Sequence, residues 1–181
     1  MHDDREPIFR ELSRAESEAI LQRNHVGRVA YTFHDRVDIE PVHYVYDAGW
    51  IYGRTAPGAK LVTIAHHPWA AFEVDEVEGL FDWRSVVVHG TVYVLANDDW
   101  SSTPESARAV ALLRELLPST LTNDDPTPFR TVLVRLSVSE LTGREAATSR
   151  RHPSHRHASR SDDARAADRG TAPPRGDAHA P

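Results

Sequence analysis

Residues 26–55 read VGRVAYTFHDRVDIEPVHYVYDAGWIYGRT, and the period of this stretch decides the fold. From Gly27 onward, Val29, Tyr31 and Phe33 alternate with Arg28, Ala30 and Thr32, the two-residue period of a half-buried strand. His34-Asp35-Arg36 supplies a turn. A second strand is expected over 39–47, rich in β-branched and aromatic residues such as Val42, Tyr44, Val45 and Tyr46. Ala48-Gly49 then turns the chain into a third strand over 50–55. Strands this close in sequence predict an antiparallel meander.

Upstream, Ser13 and Glu16 have the spacing of a capping box, each side chain satisfying the other's free backbone N–H. The helix expected after it, 14–24, puts Ala15, Ala19 and Ile20 on one face. Downstream, Pro57-Gly58 opens a helical pattern carrying Leu61, Ile64 and Ala65, and His67-Pro68 ends it. A fourth strand is expected over 70–74. The longest, 84–95, has Val86, Val88, Val92 and Val94 on one face, with Gly90 marking a bulge or bend where a barrel closes. Thr103-Pro104 starts a third helix as N-cap and first-position proline, and 131–138 alternates as a last strand. Six strands and three helices that do not alternate exclude a doubly wound parallel sheet. The expectation is a mainly β fold, an antiparallel β-barrel with flanking helices.

The chain has 181 residues, 40% of them hydrophobic and 27% charged, enough for one packed core with a tail. After Leu141-Thr142-Gly143 the hydrophobic pattern stops. We therefore expect one domain over 1–143 and a disordered Arg/His/Pro-rich tail over 144–181. The tail holds eight arginines and five acidic residues, which leaves the first 143 residues at −9 within a net charge of −6. An acidic folded part argues against a nucleic-acid groove. No apolar run reaches membrane-spanning length, and the first residues lack the form of a signal peptide. Zero cysteines remove disulfides, thiolate metal sites and a cysteine nucleophile. A cytoplasmic protein is expected.

The best candidate site is IYGRTAPGAK, residues 51–60. A strand ends in Arg54 and Thr55, a Pro-Gly turn follows, and Lys60, the only lysine beside twenty arginines, falls in the first turn of a helix. A phosphate dianion needs several converging donors. A helix N-terminus offers free N–H groups and a favourable dipole, Arg54 a planar fork, Thr55 a hydroxyl and Lys60 a mobile charge. The competing reading is a strand-turn-helix junction with incidental surface charges.

Four blocks in register, HVGRVAYTF, VDIEPVHYVYDAGWIYGRTAPGAKL, HHPWAAFEVDE and WRSVVVHGTVYVL, resemble the pyridoxamine 5′-phosphate oxidase-related, FMN-binding split-barrel superfamily. Its nitroimidazole-reductase-like branch is the most similar. The resemblance covers about residues 12–140 and implies a six-stranded antiparallel split barrel that dimerises, with FMN in a cleft at the dimer interface. It implies phosphate contacts at Arg54, Thr55 and Lys60, and a flavin ring resting against Pro41, Val42, His43 and Tyr44. Trp83, Arg84 and Ser85 would also lie near the flavin, reaching across from the partner subunit. The oxidases proper carry Ser-Arg-Lys where this chain has Gly58-Ala59-Lys60, and their substrate-phosphate residues have no counterpart here. Pyridoxamine phosphate oxidation is therefore not expected.

Flavin chemistry asks the protein for position and electronic tuning rather than a nucleophile. No Ser/His/Asp or paired-carboxylate motif stands out, and His89 and Asp75 read as structural or exposed. His43, beside the expected ring site, is the histidine that could supply a donor or acceptor. Metal binding is not expected: His66 and His67 are adjacent and diverge on a helix, and His152, His155 and His157 read as a solvated tail. The function expected is an FMN-dependent oxidoreductase, flavin reductase or nitroreductase-like. It would pass hydride through flavin N5 to a small organic acceptor, with NAD(P)H as donor. The alternative is a flavin- or haem-binding protein of sensing, storage or haem-handling type, or a deazaflavin-dependent reductase.

Overall fold

The computed structural model describes residues 6–33, 36–95 and 103–148. In chain order the elements are β1 (Pro7–Glu11), α1 (Arg14–Arg23), β2 (Val26–Phe33), β3 (Arg36–Asp47), β4 (Trp50–Thr55), α2 (Ala59–His66), β5 (Trp69–Gly79), β6 (Asp82–Val94), α3 (Pro104–Leu116), β7 (Val132–Ser137) and β8 (Glu140–Thr148). The local signals act as physics demands. The Ser13 N–H donates to the Glu16 carboxylate at 2.8 Å and the Glu16 N–H to Ser13 Oγ at 3.3 Å, closing the capping box of α1. Thr103 Oγ1 accepts from the Ser106 N–H at 3.1 Å, with Pro104 in the first turn of α3. Ala48 and Gly49 both have positive φ, 47° and 84°, the mirror-image turn that matches strand twist in a two-residue hairpin.

All strand pairings are antiparallel, in the order β1-β8-β6-β5-β2-β3-β4-β7, with β6 also pairing β7. That last pairing closes β2 to β7, the six strands expected, into a ring. The sheet nevertheless has eight strands, because β1 and β8 pair with each other and β8 adds to β6. Neither carries a strand period in the sequence: β1 is mostly exposed, and ELTGREAAT shows no apolar alternation. The domain boundary at 143 moves accordingly. β8 runs to Thr148 and buries Glu145 and Ala146. Residues 149–181 lie outside those described, and with them most of the expected tail.

Strand β6 pairs β8 over Trp83–His89 and β7 over Val92–Val94. Gly90 sits at the changeover. A Cβ there would come within 1.7 Å of the Ser137 carbonyl oxygen, so only glycine lets the barrel close. The core is filled by Tyr44, Phe72, Val74, Val86 and Val88 from the strands and by Ile20 and Leu21 from α1. Tyr44 meets Phe72 edge-on with ring centroids 4.8 Å apart, a geometry that adds roughly 0.5–1.5 kcal/mol to area burial. A second cluster packs Leu112 and Leu113 of α3 on Tyr52 and Leu133. Among the described residues no helix is long and apolar enough to cross a membrane.

Candidate functional site

Strand β3 changes partners half-way. Arg36–His43 pairs with β2, and only Tyr44–Asp47 pairs with β4. The outer half therefore has a neighbour on one side only, which is where a strand tolerates a proline. Pro41 and Val42 of this half, Arg54 and Thr55 at the end of β4 and Gly58 of the following turn line one cleft of about 270 Å³. Helix α2 starts at its edge, with Gly58 as an N-cap that makes no side-chain hydrogen bond. Its first-turn N–H groups thus have no capping side chain.

A second cleft of about 280 Å³ adjoins the first, sharing Arg54 and Arg130. Its wall is apolar, from Leu113, Leu116 and Leu117 at the end of α3, and His25 and His43 line it as well. Pro41 and Val42 line the first cleft and His43 the second, so β3 passes from one to the other between residues 42 and 43.

Arg54 is not a free cation. Its two terminal nitrogens reach both oxygens of Asp125, one at 2.8 Å, and also Thr127 Oγ1 at 2.9 Å and the Arg130 carbonyl at 3.4 Å. The side chains of Arg54 and Asp125 are 9% and 1% exposed. The hydrogen-bonded Arg54 guanidinium holds the Asp125 carboxyl well below the usual carboxylate range; burial pushes the other way, and the Leu121 and Thr127 N–H groups reinforce the depression. Those N–H groups donate at 2.7 and 2.8 Å, and Leu121 adopts a left-handed φ of 57° to do so. The segment 120–130 is wrapped around one carboxylate.

The other expected residues are placed as follows. Tyr44 is a correction: it is fully buried and its hydroxyl donates to the Leu21 carbonyl at 3.0 Å, so its side chain belongs to the core and not to the cleft. The backbone of Lys60 lies in the first turn of α2; its side chain lies outside the described residues. Trp83 and Ser85 line a different cleft, against Leu12 and Gly143. Arg84 donates to Glu145 at 2.7 Å. These three sit at the start of β6, whereas its far end, at Val94, pairs with the strand beside β4. Eleven residues of strand separate Trp83 from Val94, up to roughly 35 Å. One chain does not bring this trio to Arg54.

Asp125, Thr127 and Arg130 went unread in the sequence. Asn123-Asp124-Asp125-Pro126 signals a turn, but nothing local says that its last acid pairs an arginine 71 positions away. Among the described residues no group of three or more His, Asp or Glu could hold a metal ion.

A family model for pyridoxamine 5′-phosphate oxidase matches residues 13–145. The chain belongs to this family of flavin-binding split barrels. Among solved structures, an FAD-binding protein of Mesorhizobium loti is 26% identical, with a TM-score of 0.62 over 77% of this chain and 99% of that one. A Corynebacterium glutamicum protein described as a candidate pyridoxamine 5′-phosphate oxidase is 33% identical, with a TM-score of 0.59 over 78% and 100%. A candidate 5-nitroimidazole resistance protein of Bacteroides thetaiotaomicron, 16% identical, shares the fold with a TM-score of 0.60 over 82% and 95%. An uncharacterised protein of Rhizobium meliloti is 27% identical over 83 residues, 46% of this chain; the chain spans 55% of that relative's length.

The two clefts fit a flavin nucleotide by their chemistry. The first offers Thr55, an uncapped helix start and Arg130, residues of the kind that hold a nucleotide's phosphate. The second offers an apolar wall with a few polar groups, as ring systems require.

Proposed function

We propose that this chain is an FMN-dependent oxidoreductase, flavin reductase or nitroreductase-like, acting as a homodimer on a small organic acceptor with NAD(P)H as electron donor. The observation that carries the reading is the convergence of Pro41, Val42, Thr55 and the α2 start on one cleft, in a chain of a flavin-binding family. Bound FMN would supply hydride acceptance and return at N5.

The chain's own residues bind and orient. The Thr55 hydroxyl and the first-turn N–H groups of α2 hold the phosphate. Pro41, Val42 and His43 carry β3 from the phosphate cleft into the adjoining one, where the ring rests. His43, in that ring cleft, is available to donate to or accept from a polar edge of the ring or of a substrate beside it. Phe129 on the cleft and Val37 and Ile39 further out along β3 are 60%, 67% and 64% exposed. Apolar surface of this kind needs a cover, and a second copy of the chain supplies both the cover and the Trp83, Arg84 and Ser85 trio.

Anaerobic mixing of FMN-loaded protein with NADH and NADPH, followed by flavin absorbance, tests the reading. Bleaching that a nitroaromatic acceptor reverses over many cycles is expected. Bound flavin that neither nicotinamide reduces, or purified protein with a Soret band, would overturn it.

A further inference from the structure

We infer that of the two arginines on the cleft Arg130, and not Arg54, presents its charge to the phosphate, and that Arg54 is a positioning residue acting through Asp125. The inference rests on the flavin reading above. Arg54 has already spent its terminal nitrogens on Asp125, Thr127 and the Arg130 carbonyl. The carboxylate beside it cancels its charge, so an arriving dianion meets little net field from the pair. To bind the terminal nitrogens of Arg54 it would have to displace a nearly buried acid from a two-pronged, charge-assisted contact, and the Nε–H that is left is one donor on a cation whose charge Asp125 already balances.

Arg130 is built the other way round. Its backbone is fixed on both sides of the Cα: the N–H donates to the Thr127 carbonyl at 3.0 Å, and the carbonyl accepts from Arg54. Its guanidinium makes no hydrogen bond or ion pair to any described residue, and lies 5.9 Å from the centroid of the neighbouring Phe129 ring. Arg130 lines both clefts, so the residue stands where a phosphate in the first and a ring in the second would join. The one acid on the same cleft, Glu40, is engaged by the Tyr31 hydroxyl at 2.6 Å. The chain of cause is then Arg54 to Asp125, Asp125 to the segment 120–130, and that segment to the placement of Arg130.

The test is titration of FMN and riboflavin, followed by flavin fluorescence, into the full-length wild type and the variants Arg130→Ala, Arg130→Lys and Asp125→Asn. Riboflavin lacks the phosphate, so the ratio of the two affinities isolates the phosphate contact from any loss of folding. Arg130→Ala should cut the FMN preference roughly ten- to a hundred-fold, the range of one charge-assisted contact. Arg130→Lys should restore most of it. Asp125→Asn discriminates between the two arginines by sign. If Arg54 were the phosphate cation, removing the competing carboxylate charge would raise the FMN preference; if Arg130 is, loosening its segment lowers the preference. An unchanged ratio in Arg130→Ala, or a raised ratio in Asp125→Asn, overturns the inference and leaves the flavin reading standing. A wild type that binds neither flavin overturns both.

Discussion

Asp125 is the residue on which the geometry of the cleft turns, because it reconciles a buried arginine, a left-handed leucine and a loop with no regular structure. Removing one partner of a buried pair leaves the other charged and unsolvated, at a cost of about 3–5 kcal/mol. Asp125→Ala is therefore expected to destabilise the fold by that amount in denaturant unfolding. The pH dependence has a definite sign. The folded carboxyl titrates below its ordinary value of 3.8, so its contribution is complete above that value and is lost as pH falls through the folded one. The stability gap between wild type and Asp125→Asn should stay constant from neutral pH down to about pH 5 and shrink below about pH 4. A gap that widens on acidification would contradict the assignment. At this scale the sequence was half legible. Arg54 and Thr55 could be picked out because a strand end, a Pro-Gly turn and a helix start are local signals. That Arg54 is neutralised, and that Tyr44 faces inward, depends on contacts 71 and 23 positions away, which no local pattern carries.

At the level of elements, the six barrel strands were readable because each half-buried strand shows its period. Strands β1 and β8 were not, since one is nearly all exposed and the other has a single Leu among Thr, Gly, Arg, Glu and Ala. β8 is nonetheless structural. Glu145 binds Arg10 at 2.6 Å and Arg84 at 2.7 Å, and Ala146 is fully buried. A chain ending after Gly143 should lose several kcal/mol, roughly 2–4 °C of Tm for each in a domain of this size. One ending after Thr148 keeps all of β8 and should melt with the wild type. Equal melting of both by calorimetry would show β8 to be dispensable. The same scale governs Gly90. Gly90→Ala sets a Cβ against the Ser137 carbonyl and should cost about 3 kcal/mol or more, the upper end of overpacking, in thermal unfolding. A loss under about 1 kcal/mol, within the range of mild core changes, would mean that the β6–β7 closure is looser than described.

For the whole molecule, the two sets of residues expected near the flavin lie at opposite ends of β6, and the proposed dimer is what would unite them. Light scattering should therefore give twice the chain mass of 20.3 kDa, and a monomer would remove Trp83, Arg84 and Ser85 from the site. The central claim, that the cleft between β3, β4 and α2 is a flavin-phosphate site, is tested most directly by calorimetric titration of FMN into the wild-type protein with riboflavin as the comparison. The account predicts one FMN per chain, held at least about ten-fold more tightly than riboflavin, the worth of one charge-assisted contact. Absence of saturable FMN binding, or equal affinity for the two flavins, would contradict it.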